Sequence, residues 1–316
     1  MLRRGLLLGA AALAVPALAQ SFPSRPVTLV AGFPAGTSVD LFARWLAERL
    51  SRALGQPVIV ENRPGADGAT AAAFVARARP DGHTILYTTS STHGASPSLY
   101  TSLPFDPVAD FAPVAKLLDQ PLLLLVRPDG PASVGALVAA AQVAPRLLFY
   151  GHGNTSTRVA AELLRSRAGL RLERVPYRGN PQSIQDLIAG RLDFAFTDFT
   201  TGIEQVRAGA LRSLAVTSAA RNPQLSETPT LAESGFPGFE LVAWGGVVAP
   251  AATPEPVVQR LSNEIIAIMR APEASAFGER IGIFPAPQGP TEFGPYIRAE
   301  IARWADYVAV AGIEKQ

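Results

Sequence analysis

The sequence predicts an α/β protein of two domains, each a mostly parallel sheet flanked by helices. Short β-rich runs alternate with longer runs of helical spacing, and this alternation stops and restarts near the middle of the chain. Such an order is typical of parallel strands covered by helices. The chain has 316 residues, of which 48% are hydrophobic. That length exceeds the size at which one core is usual, so two cores are expected.

The first domain begins with a buried strand, Pro26–Gly32, followed by a helix over Ser38–Leu54. Within that helix Phe42, Leu46 and Leu50 recur at four-residue intervals and therefore share one face. Turn residues separate the elements that follow. These are the strands Gln56–Glu61 and Thr84–Thr89, with the helix Ala69–Arg79 between them.

The second domain repeats the pattern. Its predicted strands are Leu122–Val126, Leu147–Tyr150, Arg174–Tyr177, Leu192–Phe196 and Leu211–Thr217, and its predicted helices are Ser133–Val143, Ser156–Ala168 and Pro181–Ala189. Two later helices, Pro254–Arg270 and Thr291–Ala311, have no strand set of their own and are expected to pack on the first domain. The chain then crosses between domains twice, which predicts two hinged lobes: residues 21–121 with 246–316, and residues 122–245.

The first twenty residues have the features of an export signal. Arg3 and Arg4 are followed by a short apolar run, and Ala17–Ala19 supplies a small-x-small pattern with cleavage near Ala19 and Gln20. The run is shorter than the ~20 residues a membrane helix needs. A retained anchor and a twin-arginine signal remain alternatives. The mature protein is therefore expected in the periplasm.

Charge and cysteine content exclude several classes of function. The chain has 28 basic and 26 acidic residues, and removal of Arg3 and Arg4 leaves 26 of each. A neutral mature chain gives no electrostatic reason to expect nucleic acid as a partner. The absence of cysteine excludes thiol catalysis, disulfides and a lipid-anchored lipobox. The three histidines lack zinc-site spacing, and no cofactor or metal is expected.

Three strand-to-helix loops are rich in glycine and hydroxyl groups. In open parallel sheets ligands bind beyond the carboxyl ends of strands, and helix N-termini favour anions. The loops are residues 32–40, 88–93 and 151–158. Each has a purely structural alternative, in which the hydroxyls cap helices or face solvent and the glycines turn the chain. The third loop also resembles a dinucleotide fingerprint, but Ser156 stands where the third glycine belongs.

Enzyme constellations are mostly absent from the chain. No nucleophile elbow, phosphate loop or His-Glu-x-x-His sequence occurs. Asp198, at a predicted strand end, is the one acid placed to face a cleft, and capping the next turn is the alternative. A secreted α/β hydrolase remains the rival class. It would need a nucleophile–base pair, for which the sequence offers only His93 or His152 beside plain hydroxyls.

At these loops the sequence resembles the Bug, or tripartite tricarboxylate transporter, receptor family of extracytoplasmic solute-binding proteins. The block Val60–Gly68 is similar to the family's Val-Glu-Asn-Arg-Pro-Gly-Ala-Gly-Gly. Further similar blocks run in order through the mature chain: Arg25–Thr28, Pro80–Thr84, Leu103–Pro107, Asp110–Val114, Val175–Gly179 and Leu214–Ser218.

The resemblance implies a type II periplasmic binding protein fold, with two lobes closing on a small carboxylate or dicarboxylate without catalysis. It implies a membrane transporter or a sensor protein as partner, and we expect a monomer. The expected ligand-binding residues are Phe33, Ala35, Gly36, Thr37, Ser38, Thr88, Ser90, His93, Asn154, Thr155, Ser156, Arg158 and Asp198.

Two positions depart from the family's pattern. Thr37 replaces a glycine of the first loop, and Arg158 stands where the third loop commonly ends in histidine. Arg158 is expected either to pair with a second carboxylate of the ligand or to point to solvent. Otherwise few cations are expected in the cleft. A bulky residue at Gly36 is expected to obstruct close approach of the backbone to the ligand.

Overall fold

The computed structural model describes residues 22–316, so the predicted leader and its cleavage site lie outside the described residues. The strands are β1 (Val27–Ala31), β2 (Val58–Asn62), β3 (Thr84–Thr89), β4 (Phe111–Val126), β5 (Leu148–His152), β6 (Leu172–Pro176), β7 (Phe194–Asp198), β8 (Arg212–Val216), β9 (Val242–Pro250) and β10 (Phe284–Gln288).

The α-helices are α1 (Ser38–Leu54), α2 (Ala69–Ala76), α3 (Ser96–Leu99), α4 (Val134–Val143), α5 (Thr155–Ala168), α6 (Asn180–Ile188), α7 (Phe199–Arg207), α8 (Glu255–Arg270), α9 (Pro272–Ile281) and α10 (Pro290–Ala311). Ser90–Ala95 forms a π-helical segment, and Ala66–Gly68 and Pro223–Leu225 are 3₁₀ turns. None of these helices is long and apolar enough to cross a membrane.

The sheet of the first lobe has the strand order β2-β1-β3-β9-β4, with β10 also pairing to β4. Strand β1 pairs in parallel with β2 and β3, whereas β9, β4 and β10 pair antiparallel. The α/β class is confirmed, but the sheet is mixed rather than mostly parallel, because β9, β4 and β10 pair antiparallel. The sequence predicted neither β9 nor β10. On one face α1 buries Phe42, Leu46 and Leu50, which pack in one cluster with Leu261 and Ile265 of α8.

The sheet of the second lobe is built from β6, β5, β7 and the end of β4, with β8 also pairing to β4. Strand β5 pairs in parallel with β6 and β7, and β4 pairs antiparallel with β7 and β8. The carboxyl ends of β5, β6 and β7 therefore lie at one edge of this sheet. The loops that leave those ends face the first lobe.

Strand β4 connects the two sheets. It pairs with β9 from Phe111 to Pro121 and then with β7 from Leu122 onward. The sequence predicts only its last five residues, because Pro113 and Pro121 indicate a break in a strand. The chain accommodates proline by register shifts, one of which follows Pro113. Strand β9 pairs with β4 up to this change of partner, where Val242 lies opposite Pro121.

Helix α10 packs on both lobes rather than on the first alone. Near its start Phe293 packs in a cluster with Val30 of β1 and Leu86 of β3, whereas Trp304 and Val308 pack in the second-lobe cluster with Val159 of α5. The helix has 22 residues and so extends about 33 Å, long enough to reach both lobes.

Candidate functional site

A small cavity lies between the lobes, where the ends of β1 and β3 meet the start of α5. Its volume is about 40 Å³. Because one water needs about 10–15 Å³ on this measure, the cavity holds only a few water-sized groups. Its polar lining includes Ser38, Ser90 and Ser91 of the first lobe and Asn154 and Ser156 of the second, together with Thr89 and Gln120. We call it the serine cavity.

Hydroxyl groups join the two lobes across this cavity. The Oγ of Ser156 shares hydrogen bonds with the Oγ atoms of Ser90, at 3.1 Å, and Ser91, at 3.2 Å. All three serines are buried. Ser156 lies in the first turn of α5, where the helix dipole favours an anion. The lobes are closed on each other, with donors from both facing the cavity.

The β1–α1 loop contributes only its two ends to this cavity, Phe33 and Ser38. Ala35 and Gly36 are exposed, and the Thr37 hydroxyl donates to the Pro34 carbonyl at 2.7 Å. These three residues do not line the serine cavity. A Cβ on Gly36 would contact no described protein atom within 4 Å, and the obstruction of a ligand by a larger side chain there stays a prediction.

The backbone N–H of Gly36 is taken by the protein itself, since it donates to Asp40 at 3.0 Å. Burial alone would raise the pKa of the Asp40 carboxyl, but hydrogen bonds from Arg44, Gly36 and Asn62 outweigh burial and lower that pKa. Asp40 stays ionised and holds the loop in place.

The loop after β3 places Ser90 at the cavity and His93 away from it. The π-helical turn directs His93 into the core, where it is 0% exposed beside the rings of Phe105 and Phe111. Its Nδ1 shares a 2.6 Å hydrogen bond with the Thr88 hydroxyl, and burial lowers its pKa to about 3. The expectation that Thr88 and His93 line the cleft is corrected: they form a neutral buried pair.

Asp198 does not line the serine cavity. Its Oδ1 accepts from the backbone N–H and the hydroxyl of Thr201, both at 2.9 Å, so it caps α7. Its Oδ2 accepts from Asn180 Nδ2 at 2.6 Å. Asn180 Oδ1 in turn accepts from the Gly153 N–H at 3.0 Å. Asp198 therefore matches the capping alternative and supports the β5–α5 loop from behind.

The β5–α5 loop is shaped by its own cap. Asn154 Oδ1 accepts from the Thr157 N–H at 3.0 Å, and the Thr157 hydroxyl accepts from the Asn154 N–H at 3.3 Å. This reciprocal pair fixes the first turn of α5. Thr155 and Ser156 consequently point toward opposite sides, Ser156 into the serine cavity and Thr155 toward Asp67.

Asp67 was missed by the sequence analysis as a site residue. It belongs to the first lobe, yet its carboxylate accepts from the Thr155 N–H at 3.2 Å and from the Thr155 hydroxyl at 2.6 Å. Its φ of 52° is a left-handed conformation, which aspartate tolerates better than most residues. Burial raises the pKa of this carboxyl. The sequence did contain one indication, because Asp67 stands where the family's pattern has glycine.

A second, larger cavity of about 680 Å³ lies beside the serine cavity and shares Phe33 and Asn154 with it. Three arginines line it, so the expectation of few cations is corrected. They are Arg158, Arg174 and Arg178. We call it the arginine cavity. Arg158 is partly buried, and burial followed by the charge of Arg174 lowers its pKa.

The geometry gives little support to hydrolytic chemistry. His93 is sealed in the core, and both ring nitrogens of His152 lack a hydrogen-bond partner. Within residues 22–316 no group of histidine and acidic side chains could hold a metal ion. Among those residues neither histidine reaches a cavity hydroxyl as a base would.

Comparison with known proteins assigns the family. The family described as tripartite tricarboxylate transporter family receptor, TctC, matches residues 42–313. The chain belongs to this family. It is therefore a solute-binding receptor with the two-lobed fold of periplasmic binding proteins, and the resemblance noted in the sequence is confirmed.

Among the relatives of this TctC receptor is Protein BugT of Bordetella pertussis, 32% identical over 98% of this chain and 96% of the relative. Among solved structures, R. palustris Rpa4515 with adipate is 35% identical, with a TM-score of 0.90 over 93% of this chain and 100% of that one. MatC from Rhodopseudomonas palustris with bound malate is 31% identical, with a TM-score of 0.85 over 91% and 100% of the two chains.

Proposed function

We propose that this TctC receptor captures a small organic carboxylate or dicarboxylate by closing its lobes, and releases it unchanged. The observation that carries the proposal is the serine cavity, where Ser156 at the start of α5 meets Ser90 and Ser91 across the cleft. Two similar structures, with adipate and with malate, support a carboxylate as ligand.

The chemistry of capture follows from these donors. A ligand carboxylate that enters between the lobes accepts hydrogen bonds from hydroxyls of both, in place of the serine contacts. The N-terminus of α5 adds a favourable dipole. Because both lobes contribute donors, binding stabilises the closed arrangement over the open one.

We place the lobes at residues 21–121 with 246–316 and at residues 122–245. The support is the change of partner along β4, which leaves β9 after Pro121 and pairs with β7 from Leu122. Rotation about the two places where the chain crosses between the lobes opens the cleft. The absence of catalysis is part of the proposal, supported by the inaccessible His93 and by the unpaired nitrogens of His152.

The proposed setting is the periplasm, reached after cleavage of the leader near Ala19 and Gln20. A membrane transporter or a sensor protein is the proposed recipient of the ligand, and the receptor acts as a monomer. Mass spectrometry of periplasmic protein should find an N-terminus near residue 20 or 21. An intact Met1 in a membrane fraction would contradict the leader, and a dimer in light scattering would contradict the monomer.

A thermal-shift screen against mono-, di- and aromatic carboxylates tests the function. Ligand at 100 times its Kd should stabilise the native state by about 2.7 kcal/mol, whereas neutral sugars and amines should not. A flat response to every acid would contradict the proposal.

A matched pair of variants tests the serine cavity. A hydrogen bond to a charged group is worth ~1.5–3 kcal/mol, so Ser156→Ala should weaken the best acid about tenfold or more in calorimetric titration. Ser166→Ala, an exposed serine on the same helix, serves as control and should leave affinity unchanged. Equal affinities for the two variants would remove Ser156 from the site.

A further inference from the structure

The arginine cavity brings together cations that come from separate elements. Arg158 lies on α5, Arg174 on β6 and Arg178 just after that strand. Among residues 22–316 none of the three forms an ion pair with a carboxylate. Asp67 is the one acidic side chain lining this cavity in that part of the chain, and three guanidinium groups outnumber it. The cavity is therefore positive and favours an anion.

His152 forms part of the wall of this cavity but adds no charge to it. It lines the same cavity and is only 9% exposed. Burial, followed by the charges of Arg174 and Arg158, lowers its pKa to about 4. The ring is thus neutral. The positive charge of the cavity therefore comes from the arginines.

Asp67 determines which donors remain free for an anion in this cavity. It already accepts from both the N–H and the hydroxyl of Thr155, so those donors face no further anion. The charged donors that remain in the lining are the guanidinium groups.

The two cavities are neighbours, and this limits the kind of ligand. Phe33 and Asn154 line both, so a molecule anchored in the serine cavity can extend past them. A volume of about 680 Å³ lies within the ~300–1,000 Å³ of pockets that hold ligands larger than a four-carbon acid. The walls also carry the rings of Tyr100 and Tyr177, which suit a carbon chain.

We propose that the arginine cavity is a second anion subsite, in which Arg174 and Arg158 hold the distal carboxylate of an elongated dicarboxylic acid. This inference rests on the proposed function, since the first carboxylate occupies the serine cavity. The planar fork of arginine matches a carboxylate in a bidentate pair. The receptor thereby prefers long dianions over short ones and over monoanions.

Calorimetric titration with a chain-length series tests the subsite. The probes are succinate, adipate and suberate, with butyrate, hexanoate and octanoate as monocarboxylates of equal length. Arg174→Ala should weaken adipate or suberate by about tenfold or more, because a bidentate charged pair is lost. Its effect on the matched monocarboxylate should stay within about twofold, and its effect on succinate should be smaller than on suberate.

The controls use arginines of the same region. Arg171→Ala removes an exposed arginine outside the cavity and should change neither class of acid. Arg158→Ala changes an arginine on a different element and should show the same losses of affinity as Arg174→Ala. Equal loss for mono- and dicarboxylates with Arg174→Ala, or no loss for either, overturns the subsite while the proposed function stands. Failure of the wild type to bind any acid of the series overturns both.

Discussion

Replacing His93 by phenylalanine should make the protein less sensitive to acid. In the native state His93 is fully buried, and burial lowers its pKa to about 3, against an ordinary value of about 6.5 in the unfolded chain. The neutral ring is favoured by the fold, so its stabilising contribution is complete above about pH 6.5. As the pH falls, the unfolded chain takes up the proton first, and the contribution is lost down to the folded pKa.

The magnitude at pH 5 depends little on the folded value. The pH is then about 1.5 units below the pKa of histidine in the unfolded chain, and each unit is worth about 1.4 kcal/mol. Wild type should therefore lose about 2 kcal/mol more than His93→Phe between pH 8 and pH 5. Phenylalanine fits the aromatic surroundings of Phe105 and Phe111, although the Thr88 hydroxyl loses its partner at every pH.

Urea unfolding of both proteins at pH 8, 6.5 and 5 measures this difference. The quantity compared is the difference between the free energies of unfolding of the two proteins, taken at each pH. The cost of the lost Thr88 contact is the same at every pH and therefore cancels when pH 8 and pH 5 are compared. A gap that is the same at pH 8 and pH 5 would show that His93 takes up a proton in the native state as readily as in the unfolded one, and would refute the reasoning.

Three further substitutions have expected outcomes. Asp67→Asn should gain stability relative to wild type as the pH rises from about 4. Burial raises the pKa of the Asp67 carboxyl, so its ionisation lowers the free energy of unfolding of wild type alone. Urea unfolding across pH 4–8 checks the sign of this difference. Gly36→Ala should cost about 1 kcal/mol in the same assay, since φ is +81° although a Cβ meets open space. Trp304→Ala should cost about 3–5 kcal/mol, because the ring is fully buried where α10 meets α5, and a loss below 1 kcal/mol would contradict that packing.

Local patterns in the sequence were reliable where one periodicity dominated. The spacing of Phe42, Leu46 and Leu50 predicted α1 and its buried face, because a helix side packed on a sheet must be apolar at three- and four-residue intervals. Strand β9 was missed because Gly245 and Gly246 weaken its pattern. Both glycines are required by tertiary contacts: a Cβ on Gly246 would lie 2.3 Å from the ring of Phe293.

The position of the serine cavity was predictable at the level of loops rather than side chains. Glycine and hydroxyl residues after β1, β3 and β5 marked the sheet edges at which this cavity lies, since strand ends of parallel units meet there. Which hydroxyls face the cavity depended on local turns. The π-helical segment turned Ser90 outward and His93 inward, and no sequence pattern specified that rotation.

The sequence by itself determined the α/β class, the receptor family and the strand-to-helix loops at which the lobes meet, because periodicity and ordered motifs are properties of neighbouring residues. Tertiary structure decided how the lobes are joined and what lines the cleft. Residues as distant as Asp67 and Thr155, or Ser90 and Ser156, meet only after two sheets close on each other. The cluster of Arg158, Arg174 and Arg178 likewise forms only when α5 and β6 pack side by side, since contacts between separate elements leave no period in the chain.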